Sequence, residues 1–183
     1  MKTYKIILGA FLFLSTLFLS GCIKQQLETE YNNQESRIDS FITKELENKP
    51  DASITRNKGS NRLTLIAGEE EGLKEGGTIT FYYAGYVFTG SLSNQNIFAT
   101  NHEATAIGVG WELTAMEYNP HPIKQNDKNL LIGLQNGFLD IKKGEECYIV
   151  FSGKYGYGNK VNGSIPKNSA LIYHIWVKDI INP

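Results

Sequence analysis

Cysteine and histidine are scarce in this 183-residue chain, with two of the first and three of the second, and neither is arranged for chemistry. If Cys22 is used as argued below, Cys147 has no disulfide partner in the chain. Cys147 lies in an apolar alternation, which favours a buried, inert thiol over the alternative of a reactive one. His102, His121 and His174 fall in no His-Glu-x-x-His or Cys-x-x-Cys setting, so no metal and no cofactor are expected. A Gly-x-Ser-x-Gly elbow and a phosphate loop are also missing, as is any internal repeat of 20 to 50 residues. Charge of one sign is lacking too. Eighteen Lys and Arg face 19 Asp and Glu, and with no basic face there is no reason to expect nucleic acid as a partner.

The longest hydrophobic run is also too short to cross a membrane. It extends from Ile6 to Phe18, 13 residues, where a spanning helix needs about 20 apolar ones. Lys2 and Lys5 precede it and Leu19-Ser20-Gly21-Cys22 closes it, which are the three parts of a secretory signal. The cysteine directly after Leu-Ser-Gly resembles the bacterial lipobox. The resemblance implies that residues 1–21 are cut away and that Cys22 receives a diacylglycerol, placing the mature chain in the cell envelope as a membrane-anchored lipoprotein. Ile23 follows the cysteine and supplies no clear sorting code, so inner and outer membrane both stay open. Cleavage removes two lysines and no acid, leaving 16 basic against 19 acidic residues. What remains is long enough for one domain and a tether.

Residues 22–58 read as tether and amphipathic helix, and 59–183 as the domain. Leu27, Tyr31, Ile38, Phe41, Ile42 and Leu46 recur at three- and four-residue steps or their multiples until Pro50, which predicts a helix over 27–48. That helix either packs on the main domain or pairs two copies as a homodimer. Strands are expected at 62–66, 78–88, 147–151 and 171–180. In the second, Ile79, Phe81, Tyr83, Gly85 and Val87 share one face and Thr80, Tyr82, Ala84 and Tyr86 the other. Leu130, Leu131, Leu134, Phe138 and Ile141 are spaced for one helix face, with Lys142-Lys143-Gly144 as a basic last turn and glycine stop. One short helix among strands without a βαβ rhythm predicts α+β with a mainly antiparallel sheet.

The C-terminal half resembles the FKBP-type peptidyl-prolyl cis-trans isomerases. Gly76-Gly77-Thr78-Ile79-Thr80-Phe81-Tyr82-Tyr83-Ala84-Gly85 looks like the family's strand ending in Tyr-x-Gly, and Leu130 to Phe138 like its pocket helix. Ile141-Lys142-Lys143-Gly144-Glu145 is similar to its Met-x-x-Gly-Glu turn. Lys154-Tyr155-Gly156-Tyr157-Gly158, Ile165-Pro166 and Ser169 to Tyr173 follow in the order of its flap loop and last strand. The resemblance implies an FKBP-like fold, a twisted antiparallel sheet wrapped on one short helix, here preceded by the N-terminal helix.

It also implies an activity. Rotation about an X-Pro bond faces a barrier of about 18–20 kcal/mol, because resonance keeps the amide planar. An apolar cleft disfavours the charge-separated planar form, and a hydrogen bond to the carbonyl can hold the twisted one. By position, Tyr83 and Tyr157 would be the catalytic pair, with the Tyr157 hydroxyl reaching the substrate carbonyl. Phe98, Leu130, Leu131, Leu134, Ile165 and Tyr173 would be substrate-binding walls. Partners would be unfolded or proline-containing exported polypeptides. The sequence departs from the family at Ala99, where Asp is usual, at Leu134, where Trp is usual, and at Ser164. It also carries a 31-residue stretch between Phe98 and Leu130. A weak isomerase, a non-catalytic peptide-binding or chaperone module and a structural envelope lipoprotein are the three functional expectations.

Overall fold

The computed structural model describes residues 2–69, 71–120 and 122–183, with side chains from Lys24 onward. Met1, His121 of the insert, and the side chains of the rest of the expected signal and of the lipid site Cys22 therefore lie outside what is described. Two compact units are present, Met1–Asn33 and Gln34–Pro183. Helix α1 (Lys2–Asn48) contributes to both. Among the described residues, no helix is long and apolar enough to cross a membrane.

The second unit is built on one antiparallel sheet. Its strands are β1 (Ser53–Asn57), β2 (Ser60–Ile66), β3 (Thr78–Val87), β4 (Ile97–Thr100), β5 (Ile123–Lys124), β6 (Glu146–Phe151) and β7 (Leu171–Ile181). Their order is β1-β2-β6-β7-β3-β4, with β5 pairing the start of β3. Short helices α2 (Glu103–Gly108) and α3 (Ile132–Phe138) complete the unit. The long central strands β3 and β7 form because their apolar residues alternate. Their register sets Tyr83 opposite Ile175 and Gly85 opposite Tyr173. This is the α+β architecture expected from the sequence.

The alternation divides the apolar residues between two faces. On the first, Ile79, Phe81, Ile149, Phe151, Tyr173 and Ile175 close over Leu134 and Phe138 of α3. On the second, Ala84, Tyr86, Phe88, Val150 and Ile172 are covered by Ile38, Phe41 and Ile42 of α1. Phe41 meets Phe88 edge to face at 5.3 Å between ring centres. The compact unit thus begins at Gln34 and takes in much of the segment assigned to the tether. Ile38 and Ile42 are at most 1 % exposed, and β1 pairs along its whole length with β2.

The pocket helix is shorter than its apolar spacing suggested. It ends at Phe138; Leu139 turns extended, and Asp140 takes a left-handed φ of 60°. Ile141 is buried, but from the turn that follows. Lys142 and Lys143 are consequently no last helical turn, and Gly144 belongs to the approach to β6. A buried arginine supplies the termination. Arg62 donates to the carbonyls of Gly137 at 2.8 Å and Leu139 at 2.6 Å, capping carbonyls that a helix end leaves unpaired. Its charge is balanced by Glu145 at 3.0 Å, which also accepts from Thr64 Oγ1 and from the Lys142 N–H. β1, β4 and β5 were not expected. The first is a polar edge strand and the other two span only four and two residues, too few for a period-2 signal.

Candidate functional site

The first face of the sheet carries an open cleft of about 420 Å³. β3 contributes Phe81 and Tyr83, β4 contributes Phe98 and Ala99, and β7 contributes Tyr173. Leu130, Leu131 and Leu134 come from the entry and first turn of α3, and Tyr157, Ser164 and Ile165 from the loop between β6 and β7. The structure therefore brings all eight cleft residues singled out in the sequence together around one cleft. Phe81, Ile123, Asn129, Asn162 and Gly163 also line it and were missed. Phe81 had a signal, since it lies two residues before Tyr83 on the same strand face. Ile123 had none, because it comes from the stretch between Phe98 and Leu130 where the family resemblance lapses.

Ring packing gives the cleft its shape. Tyr173 is met edge-on by Phe98 at 5.7 Å, and Tyr83 lies 6.3 Å away. Phe81 anchors the floor against Phe138 at 4.9 Å. Gly85 makes this possible, because a Cβ there would come within 2.7 Å of the Phe98 ring and 3.0 Å of Tyr173. That close approach accounts for the glycine in the Tyr-x-Gly pattern.

Hydrogen bonds between side chains and the backbone hold the walls in place. Thr100 Oγ1 donates to the Tyr83 carbonyl at 2.6 Å, and Asn101 Oδ1 accepts from the Tyr83 N–H at 2.6 Å. On the opposite wall, Gln135 Nε2 donates to the carbonyls of Leu130 and Asp127, so the two leucines hang from α3. Gln125, nearly fully buried, donates to the Gln135 carbonyl.

Three phenols converge on this space. Burial, followed by the neighbouring Tyr157, pushes the Tyr83 phenol above its ordinary range. Burial pushes Tyr173 up further, with Tyr157 and Tyr83 adding to it. Both therefore stay neutral near neutral pH and keep an O–H to donate. Among the described residues no imidazole lines the cleft. His102 stacks on Trp176, and His174 packs against the same ring at a tilt. Cys147 is fully buried, and desolvation pushes its thiol far up; it is the inert thiol expected. Among the described residues no group of three His, Cys, Asp or Glu could hold a metal ion. The cleft can strip water from an apolar ring and offer O–H donors to a carbonyl, which is the chemistry of binding without covalent attack.

A family model described as FKBP-type peptidyl-prolyl cis-trans isomerase matches residues 69–178, more than half of the chain. The chain is 27 % identical over 158 residues to FkpA, an FKBP-type peptidyl-prolyl cis-trans isomerase of Buchnera aphidicola, covering 84 % of this chain and 57 % of that protein. It is 22 % identical to FK506-binding protein 1 of Aspergillus oryzae, over 64 % of this chain and 94 % of the relative. Among solved structures, Escherichia coli FkpA superimposes with a TM-score of 0.55 at 18 % identity, covering 95 % of this chain and 71 % of that one. The three FKBP domains of wheat FKBP73 give 0.55 at 22 %, over 72 % and 50 %. These two structures establish the likeness of fold. The chain spans a little over half the length of the Buchnera relative.

Proposed function

The chain belongs to the FKBP-type peptidyl-prolyl cis-trans isomerase family, and from that premise we propose that its cleft binds X-Pro segments of exported polypeptides and catalyses their cis-trans isomerisation. The observation that carries this reading is the convergence of Tyr83, Phe98, Leu134, Ile165 and Tyr173 with the Tyr157 hydroxyl on one open apolar cleft. The proline ring would sit on the Leu134 and Tyr173 side, out of water, where the charge-separated planar amide loses its solvation. Tyr157 would donate to the carbonyl preceding the proline and favour the twisted geometry. A protease-free refolding assay on a protein whose slow phase is proline-limited tests the proposal. Acceleration by the full chain that is lost in Tyr157→Phe with Tyr83→Phe is the expected result, and no acceleration by the wild type would remove the catalytic reading.

A second reading is favoured by Ala99 and Leu134, which line the cleft where the family usually carries Asp and Trp. In this reading the cleft binds proline-containing chain as a holdase without turning it over, and peptide binding with no acceleration would select it. The third, a structural envelope lipoprotein, would show envelope partners on purification and no peptide binding.

Either peptide-binding reading would place the protein in the cell envelope, tethered through lipid on Cys22. The supporting feature is the charged, apolar and Leu-Ser-Gly-Cys order of the first 22 residues. In cells fed a labelled fatty acid, Cys22→Ser should abolish the label; retained label would remove the anchor. Ile38, Phe41 and Ile42 are taken up by the chain's own sheet, so a pairing of two copies within 27–48 would fall to the turns carrying Leu27 and Tyr31; sedimentation of the chain tests it, and a monomer would remove it.

A further inference from the structure

Gln34, the residue at which the compact unit begins, is 3 % exposed and belongs to α1, on the face of the sheet remote from the cleft. Its side-chain amide nevertheless reaches the neck of the cleft loop and engages both sides of it. Oε1 accepts from the Gly153 N–H at 2.8 Å, and Nε2 donates to the Asn168 carbonyl at 2.6 Å. Between those two residues lie Tyr157, Asn162, Gly163, Ser164 and Ile165, all of which line the cleft.

The neck is already tight. A Cβ on Gly153 would fall 2.3 Å from the Asn168 carbonyl oxygen, so the two ends abut and the segment is a compact Ω-loop. Inside it, the Gly153 carbonyl accepts from the N–H groups of Gly156 and Gly158, and Asn162 and Ile165 exchange backbone hydrogen bonds. The loop is thus braced internally, and Gln34 ties its base to the rest of the unit. An N–H buried at that base is costly to leave without its acceptor. If the amide is removed, the neck must open to water, and the loop regains conformational freedom that a bound peptide would then have to remove.

We propose that Gln34 is a positioning residue for the cleft. By joining α1 to both hinges of loop 153–168, it holds Tyr157 and Ile165 against Tyr173, and the N-terminal helix becomes a working part of the peptide site as well as its tether. The inference rests on the peptide-binding reading of the cleft. Gln34 touches no substrate and acts through the loop.

Two variants of the full chain test it. In Gln34→Met, which keeps the length and removes both hydrogen bonds, amide exchange across 153–168 should rise about tenfold or more while the amides of β3 and β7 stay protected. The KM for a proline peptide should rise about tenfold, with kcat changing less. In Gln34→Glu the carboxylate can accept from Gly153 but cannot donate to Asn168. Once protonated it regains the donor, so its activity relative to wild type should climb as the pH is lowered from 7.5 to 5. A residue with a merely structural role would lower the melting temperature without that recovery. Wild-type exchange in the loop of Gln34→Met, or a flat activity ratio against pH for Gln34→Glu, would overturn the clamp. Should Gln34→Met fail to fold, Gln34→Glu at the two pH values decides by itself, with loop exchange as its readout. If the wild-type chain neither binds nor turns over a proline peptide, the reading of the cleft falls, and the exchange measurement still decides whether Gln34 holds the loop.

Discussion

The two faces of the sheet are covered by different means. The cleft face is sealed by α3, a helix of seven residues, and by a loop, so its cover is short and leaves a gap in which rings stand exposed to solvent. The other face is covered by the regularly spaced apolar residues of a long helix. At the margin of that helix, where Phe41 still meets Tyr148 at 6.1 Å, Tyr82, Tyr148, His174 and Trp176 form a half-buried aromatic strip. Short cover is held in place by polar ties. Arg62 caps α3, Gln135 suspends the leucines, and Gln34 binds the loop. Long cover needs few such ties, because burying its apolar stripe is sufficient. The contrast explains why the cleft is found on the face whose cover is less continuous.

The sharpest way to break this contrast is to cut a polar tie. Arg62→Met leaves Glu145 buried and uncompensated and uncaps α3, and it should cost about 3–5 kcal/mol in urea unfolding. Changing Glu145→Gln as well should recover part of that loss. A single variant of near wild-type stability would mean that α3 is held by apolar packing alone.

Next in size is a comparison of cavities. Phe138→Ala, at a position with no exposure, should cost about 3–5 kcal/mol. Trp176→Ala on the half-open strip should cost about 1–2 kcal/mol. Equal losses in chemical denaturation would show that the aromatic strip is as tightly packed as the core beneath α3.

A third experiment acts on the cleft itself. Ala99→Asp restores a hydrogen-bond acceptor beside Phe98, and Leu134→Trp broadens the floor under the proline ring. A buried hydrogen bond contributes about 0.5–1.5 kcal/mol and filling an apolar gap a similar order. The double variant should therefore turn over a proline peptide about ten- to a hundredfold faster. Its melting temperature must be followed alongside, because Leu134 is already 5 % exposed and the larger ring can overpack. A folded double variant at parent turnover would favour the holdase reading.

The smallest expected effect is a slope against pH on the second face. Desolvation lowers His174 to about 4 despite its 2.8 Å contact with Glu146, and the unfolded imidazole titrates near 6.5. Protonation therefore favours the unfolded chain. Stability from this group is complete above about pH 6.5 and falls progressively as the pH drops towards 4. His102, lowered chiefly by desolvation, adds to the same trend. His174→Gln should flatten the fall in melting temperature over that window, and an unchanged slope would assign it to other groups.

Legibility in the sequence followed length and regularity. β3 and β7 could be read because alternation over ten or eleven residues leaves little choice of face, and the cleft residues on them came with the strands. The α1 stripe was legible at three- and four-residue spacing, but Gln34 stands within it as a polar residue and gave no sign of its partners 119 and 134 positions away. The pocket helix was read too long, since Ile141 continues its apolar spacing although the backbone has already left the helix at Leu139.

Strand faces, the amphipathic stripe and the likeness to the isomerase family were decided by the sequence alone, because each depends on a pattern of neighbours within a few residues. The end of α3, the closure of the loop by Gln34 and the entry of Ile123 into the cleft were decided only in the folded chain. Each depends on a hydrogen bond or contact made across the sheet or between distant segments, and no local spacing encodes such a partner.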